Sequence, residues 1–197
     1  MLNRVLRLTI LAGLAAVLVL AACSNGDDGD GAVADATDRA GELLQQGLDA
    51  HAKGDLTTAE ARYHEVLEVD SGNAYAYYNL GLIEQTDNRM AQAEAQYRQA
   101  LALDPNLSPA LFNLAIVRTQ AGALDEAVSL YQRAAAVNPD NAATQLNLGL
   151  LLDQLNRPAE AEQSLARASQ LDPTIVTRLS APAPAPATAT GDGGSLP

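Results

Sequence analysis

The segment AYAYYNLGLIEQTDNRMAQAEAQYRQALALDPNL, residues 74–107, decides how the middle of the chain folds. Its apolar and small side chains fall at the fourth, seventh and eighth positions and again at the twentieth, twenty-fourth and twenty-seventh, so each set lies along one side of a helix. The polar triplet Asp87-Asn88-Arg89 interrupts the pattern, and Pro105 ends it because proline cannot continue a helix. The segment is therefore predicted to form two helices joined by a tight turn.

The same pattern recurs every 34 residues, without insertion, in frames that begin at Ala40, Ala74, Ser108 and Ala142. The eighth position is small in every frame (Gly47, Gly81, Ala115 and Gly149), and the twentieth is alanine (Ala59, Ala93, Ala127 and Ala161). Small residues at these two positions let the paired helices approach closely. A regular period of this length predicts a stacked array of helical pairs.

These columns resemble the tetratricopeptide repeat, whose pattern has a small residue at eight, Ala at twenty, an aromatic residue at twenty-four, Ala at twenty-seven and Pro at thirty-two. The match covers residues 40–173 and implies an all-α, right-handed α-solenoid of four helix-turn-helix repeats, at 40–73, 74–107, 108–141 and 142–175. Two of the family's aromatic positions are replaced here. At the eleventh position this leaves Glu84 and Arg118 in neighbouring repeats, where they either form an ion pair across the seam or extend to solvent.

One side of each first helix is predicted to line a groove. Positions two, six, nine and thirteen lie within about 60° of one another, and none of the sixteen residues that occupy them is charged. Position six holds Asn79, Asn113 and Asn147 after Gln45, next to Leu82, Ile116 and Leu150 at position nine. A carboxamide offers donors and an acceptor, so this row is predicted to hold the main chain of an extended peptide. It resembles the asparagine ladder of some tetratricopeptide grooves, although a local structural role for the Asn residues is the alternative.

Aromatic residues mark one part of this groove. Tyr75, Tyr78 and Phe112 flank or face it and are predicted either to form an anchor pocket for an apolar side chain or to pack between repeats. The Lys and Arg residues of the carboxylate clamp in chaperone-binding repeats are missing, so recognition of a terminal carboxylate is not expected.

The two ends of the chain differ from its middle. Residues 1–22 have the basic start, apolar core and small-residue end of a signal peptide, and the sequence up to Cys23 resembles the lipobox of bacterial lipoproteins. That resemblance implies acyl chains such as palmitate on Cys23 and attachment to a membrane of the cell envelope, on the periplasmic side of the outer membrane where one exists. Residues 23–39 are predicted to form a flexible acidic tether, and residues 176–197 an Ala/Pro- and Gly-rich tail.

Composition excludes several classes of function. A net charge of -12 argues against binding to nucleic acid. No nucleophile, metal-ligand set or phosphate loop is recognisable, and the only histidines, His51 and His64, fall on different helices. We therefore expect no enzyme activity, cofactor, metal or small-molecule substrate.

The predicted function is that of a lipid-anchored scaffold or adaptor that binds an extended, neutral or apolar protein segment during assembly of envelope complexes. The alternative is a structural subunit or homodimer that associates through the face of its C-terminal helix, near Ile175, Val176 and Leu179.

Overall fold

The computed structural model describes the backbone of residues 28–175 and the side chains of residues 35–175. Within that range the chain forms eight α-helices and no strand. The helices are α1 (Asp28–Ala52), α2 (Leu56–Val69), α3 (Ala74–Thr86), α4 (Met90–Leu103), α5 (Ser108–Gln120), α6 (Leu124–Val137), α7 (Ala142–Gln154) and α8 (Pro158–Leu171). The predicted lipid site at Cys23 and the tail residues Val176 and Leu179 lie outside the described residues.

The helices pack in four consecutive pairs, and each pair also contacts the next one along the chain. The second helices begin at Leu56, Met90, Leu124 and Pro158, which is the same position of every 34-residue frame. No register slip occurs between repeats. The prediction of an all-α solenoid built from four helix-turn-helix units is therefore confirmed.

The turn inside each repeat has one backbone geometry. Its central residue has a positive φ angle in all four copies: 78° at Gly54, 61° at Asn88, 76° at Gly122 and 55° at Asn156. The next residue donates its backbone N–H to a carbonyl near the end of the first helix, as Arg89 does to Glu84 at 2.8 Å. Glycine and asparagine are the residues that adopt this conformation most readily, which explains their alternation at this position.

The small residue at position eight lets the two helices of a repeat pack closely, with the ring of a buried tyrosine between them. A Cβ atom added at Gly81 would lie 2.5 Å from Cε1 of Tyr97, and one added at Gly47 would lie 2.5 Å from Cε1 of Tyr63. Both tyrosines are fully buried. The glycines are therefore required by packing, as the sequence predicts.

The first helix is longer than the repeat requires. It begins at Asp28 rather than near Ala40, so residues 28–39, most of the segment 23–39 predicted to be a flexible tether, are helical in the structure. The segment contains Ala32, Ala34 and Ala36, and alanine has the highest helix propensity. Extending a helix that is already packed adds a hydrogen bond for each residue fixed, without a new nucleation step.

The ion pair predicted between Glu84 and Arg118 is wrong. Glu84 pairs with Arg89, which follows it in the turn after α3. Arg118 instead contacts Glu94 Oε2 at 2.9 Å and Glu126 Oε2 at 2.7 Å. Both glutamates also contact Arg98 Nη2, at 2.9 and 2.6 Å, so the four charges form a closed ring of alternating sign. We call these four residues the ion ring. The ring joins α4, α5 and α6 across the seam between the second and third repeats.

The described part of the chain contains neither a membrane-spanning helix nor a cluster of metal-ligating side chains. None of its helices is both long and apolar enough to cross a bilayer. No three acidic, histidine or cysteine side chains in residues 35–175 are grouped as metal ligands would be.

Candidate peptide-binding groove

The groove surface, defined by positions two, six, nine and thirteen of α1, α3, α5 and α7, carries much of the exposed apolar surface of the repeats. Five large hydrophobic residues are exposed in the described chain, and three of them, Leu48, Tyr75 and Leu150, belong to this surface. Tyr75 is 54% exposed and Leu150 is 46% exposed. These three residues lie in different repeats, so the groove surface offers apolar side chains at intervals along its length.

The three asparagines of position six have different surroundings. Asn79 is only 6% exposed, and its Nδ2 donates to the backbone carbonyl of Tyr75 at 2.8 Å. Asn113 Nδ2 donates to the hydroxyl of Tyr78 at 3.3 Å. Asn147 hydrogen-bonds with the hydroxyl of Tyr131. Each carboxamide thus has one intramolecular partner, as the alternative of a local structural role requires. Asn113 and Asn147 are half-buried and retain hydrogen-bonding capacity toward the groove, whereas Asn79 is almost covered.

Two of the three aromatic residues pack between helices. The Tyr78 ring lies 6.0 Å from that of Tyr97, and the Phe112 ring meets that of Tyr131 edge-on at 5.8 Å. Both are half-buried, so they support the wall of the groove more than they project from it. Tyr75 alone of the three is mainly exposed.

The other predicted contact residues are spread along the groove surface, from Gln45 in the first repeat through Leu82 and Ile116 in the inner repeats to Leu150 in the last. Gln45 is exposed, and its Nε2 donates to Asp49 Oδ1 at 2.9 Å on the same helix. Leu82 and Ile116 are half-buried against the main hydrophobic core. The structure therefore brings together Ile116, Asn147 and Leu150 at the C-terminal end of the surface.

A cleft of about 380 Å³ lies between α5 and α7 at this end. We call it the groove cleft. It is lined by Ile116, Thr119, Gln120, Tyr131, Asn147, Leu150, Leu151 and Gln154. No charged side chain belongs to this lining, in a chain whose net charge is -12. The cleft thus combines an apolar wall with hydroxyl and carboxamide groups.

Tyr131 forms the base of the groove cleft and was not predicted as a site residue. Burial raises the pKa of its hydroxyl, while hydrogen bonds with Thr119 and Asn147 oppose that rise. One signal in the sequence points to it. Its repeat has Ala115 at position eight, where a methyl group would overlap a tyrosine placed like Tyr97. Tyr131 must therefore pack differently from Tyr97, and it keeps a small exposed edge.

The histidines show no catalytic arrangement. The ring of His51 lies 6.5 Å from that of Tyr63, and His64 is exposed on α2. No nucleophile and acid converge on either of them in the described structure. The groove has the chemistry of a binding surface.

Known proteins resemble the chain mainly through this repeat region. A family model described as the Cilia and flagella-associated protein 70 middle TPR-like domain matches residues 43–172, which is more than half of the chain. None of the curated protein sequences matches the chain.

Solved structures share the fold. A structure of MamA has 21% identity and a TM-score of 0.62, covering 75% of this chain and 91% of its own. The pilF protein of Pseudomonas aeruginosa has 24% identity and a TM-score of 0.65, covering 73% of this chain and 65% of its own. The first TPR domain of Spaghetti (RPAP3), bound to the HSP90 peptide SRMEEVD, has 22% identity and a TM-score of 0.57, covering 60% of this chain and 94% of its own. At these identities the likeness establishes the fold alone. With the match of residues 43–172, it follows that the chain belongs to the family of the Cilia and flagella-associated protein 70 middle TPR-like domain.

Proposed function

We propose that this chain is a non-catalytic scaffold that binds an extended, uncharged segment of a partner protein along the groove surface. The observation that carries the proposal is the groove cleft, which is uncharged and has the exposed side chain of Leu150 on its wall. Burying such a side chain against an apolar partner releases water at no electrostatic cost.

The groove cleft supplies the two kinds of contact that an extended segment needs. Ile116, Leu150 and Leu151 offer an apolar wall for one anchor side chain. Asn147 and Gln154 carry carboxamides that donate to and accept from a peptide main chain. A volume of about 380 Å³ is within the range of sites that hold a large side chain together with adjacent backbone.

The proposed specificity differs from that of one structural neighbour. The peptide bound to the Spaghetti (RPAP3) domain, SRMEEVD, is rich in carboxylates. The groove cleft here has no cation in its lining to pair with them. We therefore expect apolar anchors to be preferred and acidic peptides to be rejected, since an unpaired carboxylate would lose its hydration without compensation.

A peptide-display selection with two matched variants tests this proposal. Leu150→Asp places a charge on the wall of the groove cleft, and Val137→Asp places one at a residue of similar exposure, 42% against 46%, at the end of α6. Peptides enriched on the unmodified protein should carry an apolar anchor, lose binding to Leu150→Asp at least about tenfold, and keep binding to Val137→Asp. Peptides that bind both variants equally, or that are enriched in acidic residues, contradict the proposal.

The proposal includes attachment to a membrane of the cell envelope through Cys23, by acyl chains in a lipoprotein linkage. Its support is the sequence around Cys23, with an apolar run before it and small residues directly preceding it. Changing Cys23 to Ser should move the protein from the membrane fraction to the soluble or uncleaved precursor fraction. Unaltered acylation and membrane recovery of the Ser variant would refute the anchor.

A second candidate function is association of two copies through the face of α8. One observation favours it: a cleft of about 460 Å³ opens beside α8, where Leu165 takes the place of the buried tyrosine of the other three repeats. Sedimentation equilibrium at several protein concentrations tests it. A mass that rises with concentration and falls back in Leu165→Asp supports a dimer, and a constant monomer mass rules it out.

A further inference from the structure

A second cleft lies on the other side of α7 from the groove cleft. We call it the back cleft. Its volume is about 540 Å³, and it runs between α6 and α8 with α7 as its floor. The lining consists of Gln132, Ala135, Gln145, Leu148, Leu152, Glu160, Gln163, Ser164, Ala166, Arg167 and Gln170. It is separate from the residues assigned to partner binding above.

The back cleft exists because the last repeat has lost the side chains that fill the equivalent seam. Between the second and third repeats the corresponding space is about 310 Å³, lined in part by Leu130 and Arg98 of the ion ring. One repeat later, Ser164 stands where Leu130 does, and Leu152 stands where Arg118 does. A shorter residue and the absence of the ring leave the seam open.

The polar groups of the back cleft have unused hydrogen-bonding capacity. Ser164 is only 8% exposed, and its hydroxyl, which has no hydrogen-bond partner among the described residues, stays accessible from the cleft and is not sealed from solvent. The four glutamine carboxamides in the lining also have no partner among the described residues; Gln145 is half-buried, and Gln132, Gln163 and Gln170 are exposed. These donors and acceptors line an open cleft, so a ligand with main-chain amide groups can replace their hydration with direct hydrogen bonds.

The charges of the back cleft are already paired, which selects an uncharged ligand. Arg167 Nη2 contacts Asp140 Oδ1 at 2.8 Å, and Glu160 Oε2 contacts Arg157 Nη2 at 2.7 Å. What remains is an apolar floor of Leu148 and Leu152 between amide walls. Such a surface suits a main chain whose side chains are small and whose carbonyls have no internal partner.

We propose that residues 181–187, the sequence APAPAPA, bind in the back cleft of the same chain. This segment is uncharged, its side chains are small, and alternating Ala and Pro favour the polyproline II conformation, which has no internal hydrogen bonds. Seven residues at 3.1 Å each extend about 22 Å, which matches the length of about 21 Å expected for the 14 residues of α8. Residues 176–180 reach up to about 17 Å, enough to turn the chain back along α8 past Gln170.

The bound segment is expected to use both the hydrogen-bond donors and the hydrogen-bond acceptors of the glutamine side chains that line the back cleft. Proline has no backbone N–H, so the segment presents more acceptors than donors. Gln145, Gln163 and the Ser164 hydroxyl supply donors, and the glutamine oxygens accept from the alanine N–H groups. The groove surface on the opposite side of α7 stays free.

Site-specific photo-crosslinking in the full 197-residue chain tests the proposal. A benzophenone amino acid replaces Gln163, which faces the back cleft, or Glu162, its exposed neighbour on α8, which lines a different cleft. A bound segment should crosslink to position 163 several-fold more than to position 162, within one chain. Equal yields overturn the proposal. So do crosslinks between light and heavy chains in an isotopic mixture, which would assign the cleft to a second copy.

A filling variant separates binding from mere proximity. Ser164→Leu introduces the residue that the third repeat has at this position, Leu130, and Gln96→Leu places leucine at the equivalent position of the second repeat. Ser164→Leu should lower the yield from position 163 about fivefold or more, since the short linker gives an effective concentration of only about millimolar for a weak contact. Gln96→Leu should leave it unchanged.

A change outside the repeats keeps the test valid if Ser164→Leu unfolds the last repeat. Replacing Pro182, Pro184 and Pro186 with Gly removes the polyproline preference without touching a helix. The yield from position 163 should fall to that from position 162. An undiminished yield overturns the proposal.

Discussion

The inner repeats, residues 74–141, and the end repeats, 40–73 and 142–175, share one backbone but differ in how completely their side chains are paired. In the second repeat the Tyr97 hydroxyl donates to Gln85 Oε1 at 2.7 Å, and the ion ring closes the seam that follows. In the first repeat the buried hydroxyl of Tyr63 has no partner among the described residues. In the fourth, Leu165 replaces the tyrosine altogether. At the tyrosine position and at the seam between them, the inner repeats thus pair their polar groups with one another, whereas the end repeats have an unpartnered hydroxyl or no hydroxyl at all.

The largest expected effect concerns the close approach of the helices, where an inner and an end repeat should respond differently. Gly81→Ala forces a methyl group against the fully buried Tyr97 ring, so we expect a loss of about 1–2 kcal/mol in unfolding free energy after the helix-propensity gain is counted. Gly149→Ala meets the half-buried Leu165 side chain, at 2.7 Å from its Cγ, and the Ala161 carbonyl oxygen at 3.2 Å. It should cost less, because the half-buried Leu165 has more room to move than the fully buried Tyr97 ring.

Chemical denaturation followed by circular dichroism measures both changes. Gly41→Ala is the control, because a methyl group there has no neighbour within 4 Å, and it should be neutral or stabilising. Equal losses for Gly81→Ala and Gly149→Ala would show that the inner and end repeats are packed alike, against the comparison drawn above.

The repeat register could be predicted from the sequence because it depends on few geometrical requirements. Close helix packing needs Gly or Ala at positions eight and twenty, and the turn needs a residue that adopts a positive φ angle. Each requirement concerns a single position of the 34-residue repeat, and all four repeats satisfy it, so it can be recognised in the sequence.

The side-chain partners could not be predicted in the same way. Arg118 has the glutamates of two other helices within reach, and only their positions in space decide between those partners and Glu84. Asn79 turns to its own helix, while Asn113 and Asn147 reach tyrosines, although the three share one column. A column shows which side of a helix a residue occupies, but not which rotamer and partner it adopts.

The next effect concerns the tyrosine hydroxyls, for which we expect opposite signs in the two kinds of repeat. Tyr97→Phe removes the hydrogen bond to Gln85 and should cost about 0.5–1.5 kcal/mol. Tyr63→Phe removes a buried hydroxyl without a partner and should be neutral or stabilise by up to about 1 kcal/mol. Thermal and denaturant unfolding of the two variants measure this difference. A loss for Tyr63→Phe as large as for Tyr97→Phe would mean that the first repeat is satisfied in solution as fully as the second.

A smaller effect is expected at the ion ring, and it should depend on pH. The hydrogen bond from Arg98, together with that from Arg118, lowers the pKa of Glu126. Its stabilising contribution is therefore present above the pKa of about 4.3 in the unfolded chain and is lost as the pH falls through the lower folded value. Glu126→Gln should destabilise by less than about 1 kcal/mol at pH 7, because the pair is partly exposed.

The pH dependence distinguishes the loss of the ion pairs of Glu126 from the general effect of removing one negative charge. The difference between Glu126→Gln and the unmodified protein should shrink below about pH 4 and in high salt. Glu162→Gln, at an exposed glutamate of the last repeat with no ion-pair partner among the described residues, serves as the control and should show neither trend. A difference that stays constant from pH 7 to pH 3 would contradict a role for the ionised ring.

The smallest effect tests whether the backbones of the inner and end repeats are the same. Asn88, in an inner repeat, and Asn156, in an end repeat, both have positive φ angles, 61° and 55°. Glycine adopts this conformation without strain but loses more entropy on folding, so Asn88→Gly and Asn156→Gly should each change the unfolding free energy by about 0.5 kcal/mol or less. The two changes should be equal, because the turn geometry is repeated while the side-chain pairing is not. Unequal values in denaturant titrations would mean that the end repeats differ in their backbone as well, and that their free polar groups are a consequence of a looser fold.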